Sequence, residues 1–399
     1  MINLNTELKK YFGYTNFRYD QEKIIAAILD GKEVIAVLPT GAGKSLCYQL
    51  PALISENFSI VISPLIALMK DQVDNLNKEN EVAAFINSTM NFSEVEIVLQ
   101  KIYYGSIRLL YVAPERLDNK RFTDRIASLN PAFLFVDEAH CISEWGHNFR
   151  PSYTKIKQFI SYCSIKKVSA FTATATSEVV QDIGDQLNFK NPTVFVRGFE
   201  RANLYLNVCT NLKKSTKVLE LLSTIKGSTI IYTSSRKKAE EMADYLTIKG
   251  IDCGFYHAGL NSIQRLKIQE DFINDRLRVI CATNAFGMGI DKKDIRLIIH
   301  YNIPGSIENY YQEIGRAGRD NKDSFTYLLY DEADVNIQNY FISNSHPTKE
   351  LIQNIYCAIC DFNQVALGSQ PASELIIDEE FISKYTKTEI SKGNDLGRN

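Results

Sequence analysis

Leu38 to Ser45 read L-P-T-G-A-G-K-S, and Asp137 to His140 read D-E-A-H at the end of an apolar run. The first segment follows a short strand candidate, Val34–Leu38, and opens a helix candidate from Ser45 to Leu53. Strand, glycine turn and helix start are the setting in which backbone N–H groups and a helix N-terminus close on phosphates. Thr40, Gly41, Ala42 and Gly43 would form that cradle, the two glycines permitting turns that a Cβ forbids. Lys44 would reach the β- and γ-phosphates as a point charge, and Ser45 would place its hydroxyl on Mg²⁺. Leu38 stands where the motif usually has its first glycine. Asp137 would hold Mg²⁺, directly or through water, and Glu138 would polarise the attacking water. The pair of segments implies binding and hydrolysis of a nucleoside triphosphate.

Gln312 to Arg319 read Q-E-I-G-R-A-G-R. If this stretch is helical, Arg316 and Arg319 share one face, three residues apart. An arginine offered across a cleft can neutralise charge that develops on a γ-phosphate, so closure of two domains would gate hydrolysis. The competing reading is a surface helix with structural arginines. Gly287 to Asp291, G-M-G-I-D, would let backbone approach a ligand but says little alone.

Around these motifs, apolar runs alternate with helix-like segments, the pattern of α/β units with parallel sheets. The runs are Val34–Leu38, Ile60–Ser63, Leu109–Ala113, Phe133–Val136 and Val168–Phe171, then Thr229–Tyr232, Gly254–Tyr256, Val279–Ala282, Leu297–His300 and Thr326–Tyr330. Polar, Gly or Pro residues follow nearly every run, at the strand ends where open α/β sheets bind ligands. Two sheets facing one cleft are expected, the second completing the first one's site. The boundary falls near Arg197 to Asn203, which gives domains at 1–200 and 201–335 and a helical segment at 336–399. Within the last, Pro347 to Asn363 reads as helix and Thr386 to Asn399 as a poorly ordered polar tail.

The 399 residues suit two or three domains rather than one core. A formal net charge of −2 means that any nucleic-acid contact must come from local basic stretches such as Arg236-Lys237-Lys238. Eight cysteines are scattered singly, and Cys209 and Cys281 read as buried thiols. Cys357 and Cys360 form C-x-x-C, but no second pair follows, so zinc is not expected. No secretory or membrane-spanning run is present in the sequence, and a cytoplasmic location with no membrane partner is expected.

Taken in order from Phe12 to Asp320, these motifs resemble the RecQ family of DNA helicases, within helicase superfamily two. Phe17-Arg18-Tyr19-Asp20-Gln21 is similar to the family's adenine-reading segment, which implies that Gln21 contacts adenine with Tyr14 and Arg18 beside it. The family's phosphate loop also lacks the first glycine. Cys141 to Pro151, C-I-S-E-W-G-H-N-F-R-P, resembles the aromatic-rich loop that couples DNA contact to hydrolysis, although Asn148 stands where the family commonly has Asp. By that match Trp145, His147, Phe149 and Arg150 would meet DNA, with aromatic rings stacking on bases. Core packing is the plainer alternative for Trp145 and Phe149. Thr172-Ala173-Thr174 looks like the motif joining the two domains, and Gln312, Arg316 and Arg319 carry over as γ-phosphate and water contacts.

The resemblance implies an α/β fold of two tandem RecA-like parallel-sheet domains with the nucleotide cleft between them, followed by a short helical segment. It implies ATP and Mg²⁺, and a monomer that moves 3′-to-5′ on single-stranded DNA and opens tailed or forked duplexes in recombination or repair. A single-strand-binding protein and other repair proteins are candidate partners. It fails at the C-terminus, where the four-cysteine platform and winged helix of many members have no counterpart, so a short form, or a protein that ends early, is expected. Three rival readings remain: a DEAH-type RNA helicase, an ATP-gated clamp that binds without unwinding, and a small-molecule kinase.

Overall fold

The computed structural model describes residues 3–143, 149–198, 200–287, 292–345, 347–369 and 375–387. Met1–Asp331 form one compact unit and Glu332–Asn399 another. The first unit holds thirteen strands among the described residues. They are β1 Val34–Val37, β2 Ser59–Ile62, β3 Ala83–Ile86, β4 Leu109–Val112, β5 Leu134–Val136, β6 Val168–Thr172, β7 Thr193–Val196, β8 Leu204–Cys209, β9 Ser228–Tyr232, β10 Cys253–Tyr256, β11 Val279–Ala282, β12 Ile295–His300 and β13 Ser324–Leu329.

β1 to β7 make one sheet in the order β3-β4-β2-β5-β6-β1-β7, and β8 to β13 make a second in the order β10-β11-β9-β12-β13-β8. Every strand pair in both sheets is parallel. Successive side chains of a strand point to opposite faces, and the interior strands of the first sheet are dry on both. Ile35, Ile60, Ile62, Leu110, Leu134 and Val136 pack on one side. Val34, Ala36, Val61, Leu109, Phe135 and Phe171 pack on the other, where Tyr48 meets Phe135 and Phe171. That double burial explains why these strands read as unbroken apolar runs.

The strands that the runs do not announce are β3, β7 and β8, and each lies at a sheet edge. An edge strand has half-exposed faces; Val194, Val196, Leu206 and Val208 are open to solvent. This corrects the reading of Cys209 as buried. It is only half-buried at the end of β8, whereas Cys281 on the interior strand β11 is fully enclosed.

In the second unit, helices span Glu332–Ser345, Lys349–Phe362 and Glu379–Thr386. Thr386 therefore ends a helix rather than starting a tail. The tail from 388 onward lies outside the described residues. Cys357 and Cys360 sit on the helix Lys349–Phe362, and among the described residues no group of three or more His, Cys, Asp or Glu is placed to hold a metal ion. No described helix is long and apolar enough to cross a membrane.

Candidate active site

The strand order places the chemistry. β1, β6 and β5 are neighbours, so the loops leaving their C-terminal ends share one rim. Leu38 N–H donates to Thr172 O at 2.9 Å, tying the start of the phosphate loop to β6. Gly41 and Gly43 take φ of 85° and 79°, in the left-handed region that favours glycine. The helix Lys44–Ile54 starts directly after them, its first turn facing the loop. Gln21 opens the helix Gln21–Leu29 and is buried against the loop. Its amide nitrogen donates to Ala42 O and Gly43 O, both at 3.1 Å, and its oxygen accepts from Arg18 N–H at 2.9 Å. Gln21 thus braces the loop that the nucleotide would occupy. Tyr14 stands exposed ahead of it.

Lys44 lies between the two acids. Its Nζ is 3.1 Å from Asp137 Oδ1 and 3.0 Å from Glu138 Oε1. Burial alone would lower the lysine, but the two carboxylates outweigh it and hold the ammonium well above its usual range. Asp137 is almost fully buried; burial pushes its carboxyl up, and the Lys44 charge pulls the other way. Glu138 sits at φ 48° and ψ 45°, a left-handed backbone that is rare outside glycine and that recurs at functional sites. Its N–H donates to Asp137 Oδ1 at 3.0 Å. Tyr153 Oη donates to Asp137 O at 3.0 Å, holding the end of β5 from outside the cleft.

From the acids a line of polar contacts runs toward the second sheet. Glu138 Oε2 lies 3.4 Å from His140 Nδ1, and that nitrogen is 2.9 Å from Thr172 Oγ1. Thr172 Oγ1 donates to Thr174 O at 3.0 Å. Gln312 Nε2 then donates to Thr174 Oγ1 at 3.3 Å, crossing from one lobe to the other.

Arg316 and Arg319 do not share a helix face. The helix Ile307–Ile314 stops before them, and 315–320 form turns. Arg316 N–H and Ala317 N–H bond three residues back, to Glu313 O and Ile314 O, and Gly318 at φ 59° turns the chain toward Ile295 O. The glycines that allow close approach also end the helix. The arginines consequently point to different places. Arg316 is buried in its own lobe, its Nη1 donating to Gly287 O. Arg319 faces the phosphate loop, its Cγ 3.4 Å from where a Cβ on Gly41 would stand. A cleft of about 250 Å³ lies there, walled by Arg18, Thr40, Gly41, Arg197, Arg201 and Arg319 among others.

Sequence reading missed two arginines of that wall. Arg197 packs its guanidinium 3.6 Å from the centre of the Tyr19 ring and lies 3.6 Å from Asp20. Arg201 donates to Thr40 O at 3.3 Å and to Ala317 O and Gly318 O at 3.0 and 2.7 Å. Their only sequence signal was a position in the stretch between the two sheets.

The donor set fits a magnesium nucleotide. Ser45 and Asp137 offer oxygen, which suits a hard cation that keeps several waters and phosphate oxygens of its substrate. Thr40 Oγ1 is buried without a hydrogen-bond partner, and Thr40, Gly41 and Ala42 line the cleft. Phe149 and Arg150 are described, and Arg150 Nη1 donates to Pro64 O at 3.1 Å, but Trp145 and His147 lie outside the described residues, as do 288–291.

Two parallel-sheet lobes, a phosphate loop and D-E-A-H on one, and an arginine turn on the other define a helicase core. In agreement, residues 18–183 match the DEAD/DEAH box helicase family and 213–321 the helicase conserved C-terminal domain. The chain is 41% identical over 360 residues to the probable ATP-dependent DNA helicase RecS of Bacillus subtilis, covering 89% of this chain and 72% of that one. It is 44% identical over 328 residues to the ATP-dependent DNA helicase RecQ of Pasteurella multocida, covering 82% and 52%. It belongs to the RecQ family of ATP-dependent DNA helicases. The chain spans about half the length of the Pasteurella relative and 60% of the RecQ of Haemophilus influenzae. Among solved structures, helicase Lhr of Mycobacterium smegmatis bound to ssDNA and AMP-PNP superposes with TM-score 0.66 at 17% identity, over 88% of this chain and 52% of that one. S. cerevisiae Dbp5 bound to RNA and ADP BeF3 gives 0.66 at 19%, over 85% and 90%. Both likenesses concern the fold.

Arg319→Ala is expected to lower turnover by roughly 10³-fold, the low end for an arginine supplied across a cleft, while nucleotide affinity falls little. Steady-state ATPase beside titration of a fluorescent ATP analogue checks it; parent-like turnover would remove Arg319 from the chemistry.

Proposed function

We propose that this chain is an ATP-driven motor that moves 3′-to-5′ on single-stranded DNA and opens tailed or forked duplexes in recombination or repair. The observation that carries the motor is the approach of Arg319 to Gly41 across the cleft. The RecQ relatives support DNA as the track, and the direction of travel follows the family resemblance of the motifs. The lobes are taken as 1–200 and 201–335, followed by the segment 336–399. We take the protein to act in the cytoplasm as a monomer, with single-strand-binding or repair proteins as partners.

The residues divide the work as follows. Gln21 contacts adenine with Tyr14 and Arg18 beside it, and its bonds to Ala42 O and Gly43 O link that end to the phosphate loop. The triphosphate displaces Asp137 and Glu138 from Lys44, which then lies on the β- and γ-phosphates. Ser45 and Asp137 would hold Mg²⁺, which would supply neutralisation of phosphate charge. Glu138, freed from Lys44, orients the attacking water with Gln312. Arg319 meets charge on the γ-phosphate, and Arg316 holds the turn from inside its lobe. The line from Glu138 through His140, Thr172 and Thr174 to Gln312 reports the state of the water site to the second lobe. Trp145, His147, Phe149 and Arg150 pass that state to DNA. Each closure and opening shifts the grip on the phosphate backbone.

Strand displacement with ATP and Mg²⁺ tests this on duplexes bearing a 3′ or a 5′ tail, with an RNA-tailed duplex alongside. Displacement from the 3′ DNA tail alone is expected. DNA-stimulated hydrolysis without displacement would leave a clamp or a translocase, and preferential opening of the RNA-tailed duplex would leave an RNA helicase.

A further inference from the structure

The chain crosses from the first sheet to the second through the stretch between β7 and β8. Arg197 still belongs to the first lobe, because its N–H donates to Val37 O at 3.0 Å. Asn203 belongs to the second; its Nδ2 donates to Gly318 O at 2.8 Å and Lys322 O at 2.9 Å, and its carbonyl accepts from Ser324 N–H at 2.9 Å. Arg201 lies between them and serves both sides. Nη2 donates to Ala317 O at 3.0 Å and Gly318 O at 2.7 Å, Nη1 donates to Thr40 O at 3.3 Å, and Nε faces Asn203 Oδ1 at 3.4 Å. One planar fork therefore holds the carbonyls just before Arg319 and the carbonyl just before Gly41. The turn is fitted to this arrangement: a Cβ on Gly318 would lie 2.5 Å from Asn203 Nδ2.

We propose that Arg201 is a positioning residue for ATP hydrolysis, which sets the distance between the arginine turn and the phosphate loop and so brings Arg319 over Gly41 when the cleft closes. It rests on the reading of Arg319 as the arginine that meets the transferring phosphate. The contacts to Ala317 and Gly318 lie within the second lobe and are the shorter ones. The contact to Thr40 spans the cleft and is the longer. Arg201 thus travels with the second lobe, and its bond to Thr40 is the one that opening breaks. A backbone carbonyl accepts this bond whatever nucleotide is bound, so Arg201 registers closure. A rigid fork is required, because an ammonium offers no fixed pair of directions with which to serve both sides.

The test is a double-mutant cycle on the full chain: Arg201→Ala, Arg201→Lys, Arg319→Ala and the double variant Arg201→Ala/Arg319→Ala. The assays are DNA-stimulated ATPase, fluorescent ATP-analogue binding and thermal melting. Arg201→Ala is expected to lower kcat by about ten- to a hundredfold, the scale of a misplacement near 1 Å, with KM for ATP within about twofold of the parent. Arg201→Lys should fail to restore kcat. In the Arg319→Ala background the Arg201 change should cost less than about twofold more, because residues that act through one another are not additive. An equal loss in both backgrounds, rescue by lysine, or a raised KM with unchanged kcat would overturn the proposal. If Arg201→Ala does not fold, Arg201→Lys carries the same comparison. Full turnover by Arg319→Ala alone would sink the Arg319 reading instead, and the single variants separate the two failures.

Discussion

Lys44→Ala is expected to abolish ATP hydrolysis, with a loss of at least about 10³-fold, the upper range for removing one preorganised charge partner from a transition state. The same change should lower the melting temperature without nucleotide present. Lys44 is the cation between Asp137 and Glu138, and Asp137 is all but sealed from water. Removing one partner of a buried pair leaves the other charge uncompensated, at about 3–5 kcal/mol. The pH dependence has a definite sign. Burial already pushes the Asp137 carboxyl up, and without Lys44 nothing here opposes it as strongly. A folded-state value above the unfolded one favours the protonated, folded form on acidification and loses that advantage as pH rises through the folded value. The gap in melting temperature between variant and parent should therefore narrow as pH is lowered from about 8 toward about 5. Near-parental turnover, or a gap that widens in acid, would show that the three groups do not act as this geometry requires.

Gly315→Ala is expected to lower DNA-stimulated turnover by at least about a hundredfold while leaving the fold nearly as stable as the parent. Gly315 has φ −63° and ψ −5°, which alanine adopts freely, so the backbone is not the obstacle. The obstacle lies across the cleft: a Cβ there would stand 1.9 Å from Thr40 Oγ1 and 3.2 Å from Thr40 Cβ. Thr40 is β-branched and sits in the phosphate loop, with little freedom to turn away. The added methyl should hold the lobes apart, keeping Arg319 from Gly41 while leaving the first lobe's nucleotide contacts. Combining Gly315→Ala with Thr40→Ala removes the nearest clashing atom, and the double variant should turn over faster than Gly315→Ala alone. Parental activity in Gly315→Ala would mean that the lobes do not come this close during turnover.

The parts legible in the sequence were those with a local signature. The phosphate loop announces itself because Gly41, Gly43 and Lys44 must follow one another. The interior strands announce themselves because both of their faces are dry. Edge strands β3, β7 and β8 are only partly enclosed, with half-buried side chains beside buried ones in β3 and beside exposed ones in β7 and β8, so no doubly dry run sets them off from their flanks. The spacing of Arg316 and Arg319 suggested one helical face because spacing carries no record of where a helix stops; Gly315 and Gly318 did, read as terminators. Arg197 and Arg201 were silent for another reason. Their partners are a ring and a set of carbonyls distant in sequence, and no local pattern encodes a bond to a carbonyl.

The order of strands also bears on how the polypeptide is made. β1, from which the phosphate loop springs, pairs with β6 on one side and β7 on the other. A ribosome delivers β1 early and β7 last among the strands of its sheet, so the loop's own strand waits through most of the first lobe's synthesis for its final neighbour. Once Val196 has emerged that sheet is complete, with no strand of the second interleaved in it. The first lobe can then fold as a unit while the second is still being translated, as domains commonly do. Arg201 follows within a few residues, so the first cleft-spanning bond donor leaves the ribosome as soon as there is a finished loop to receive it.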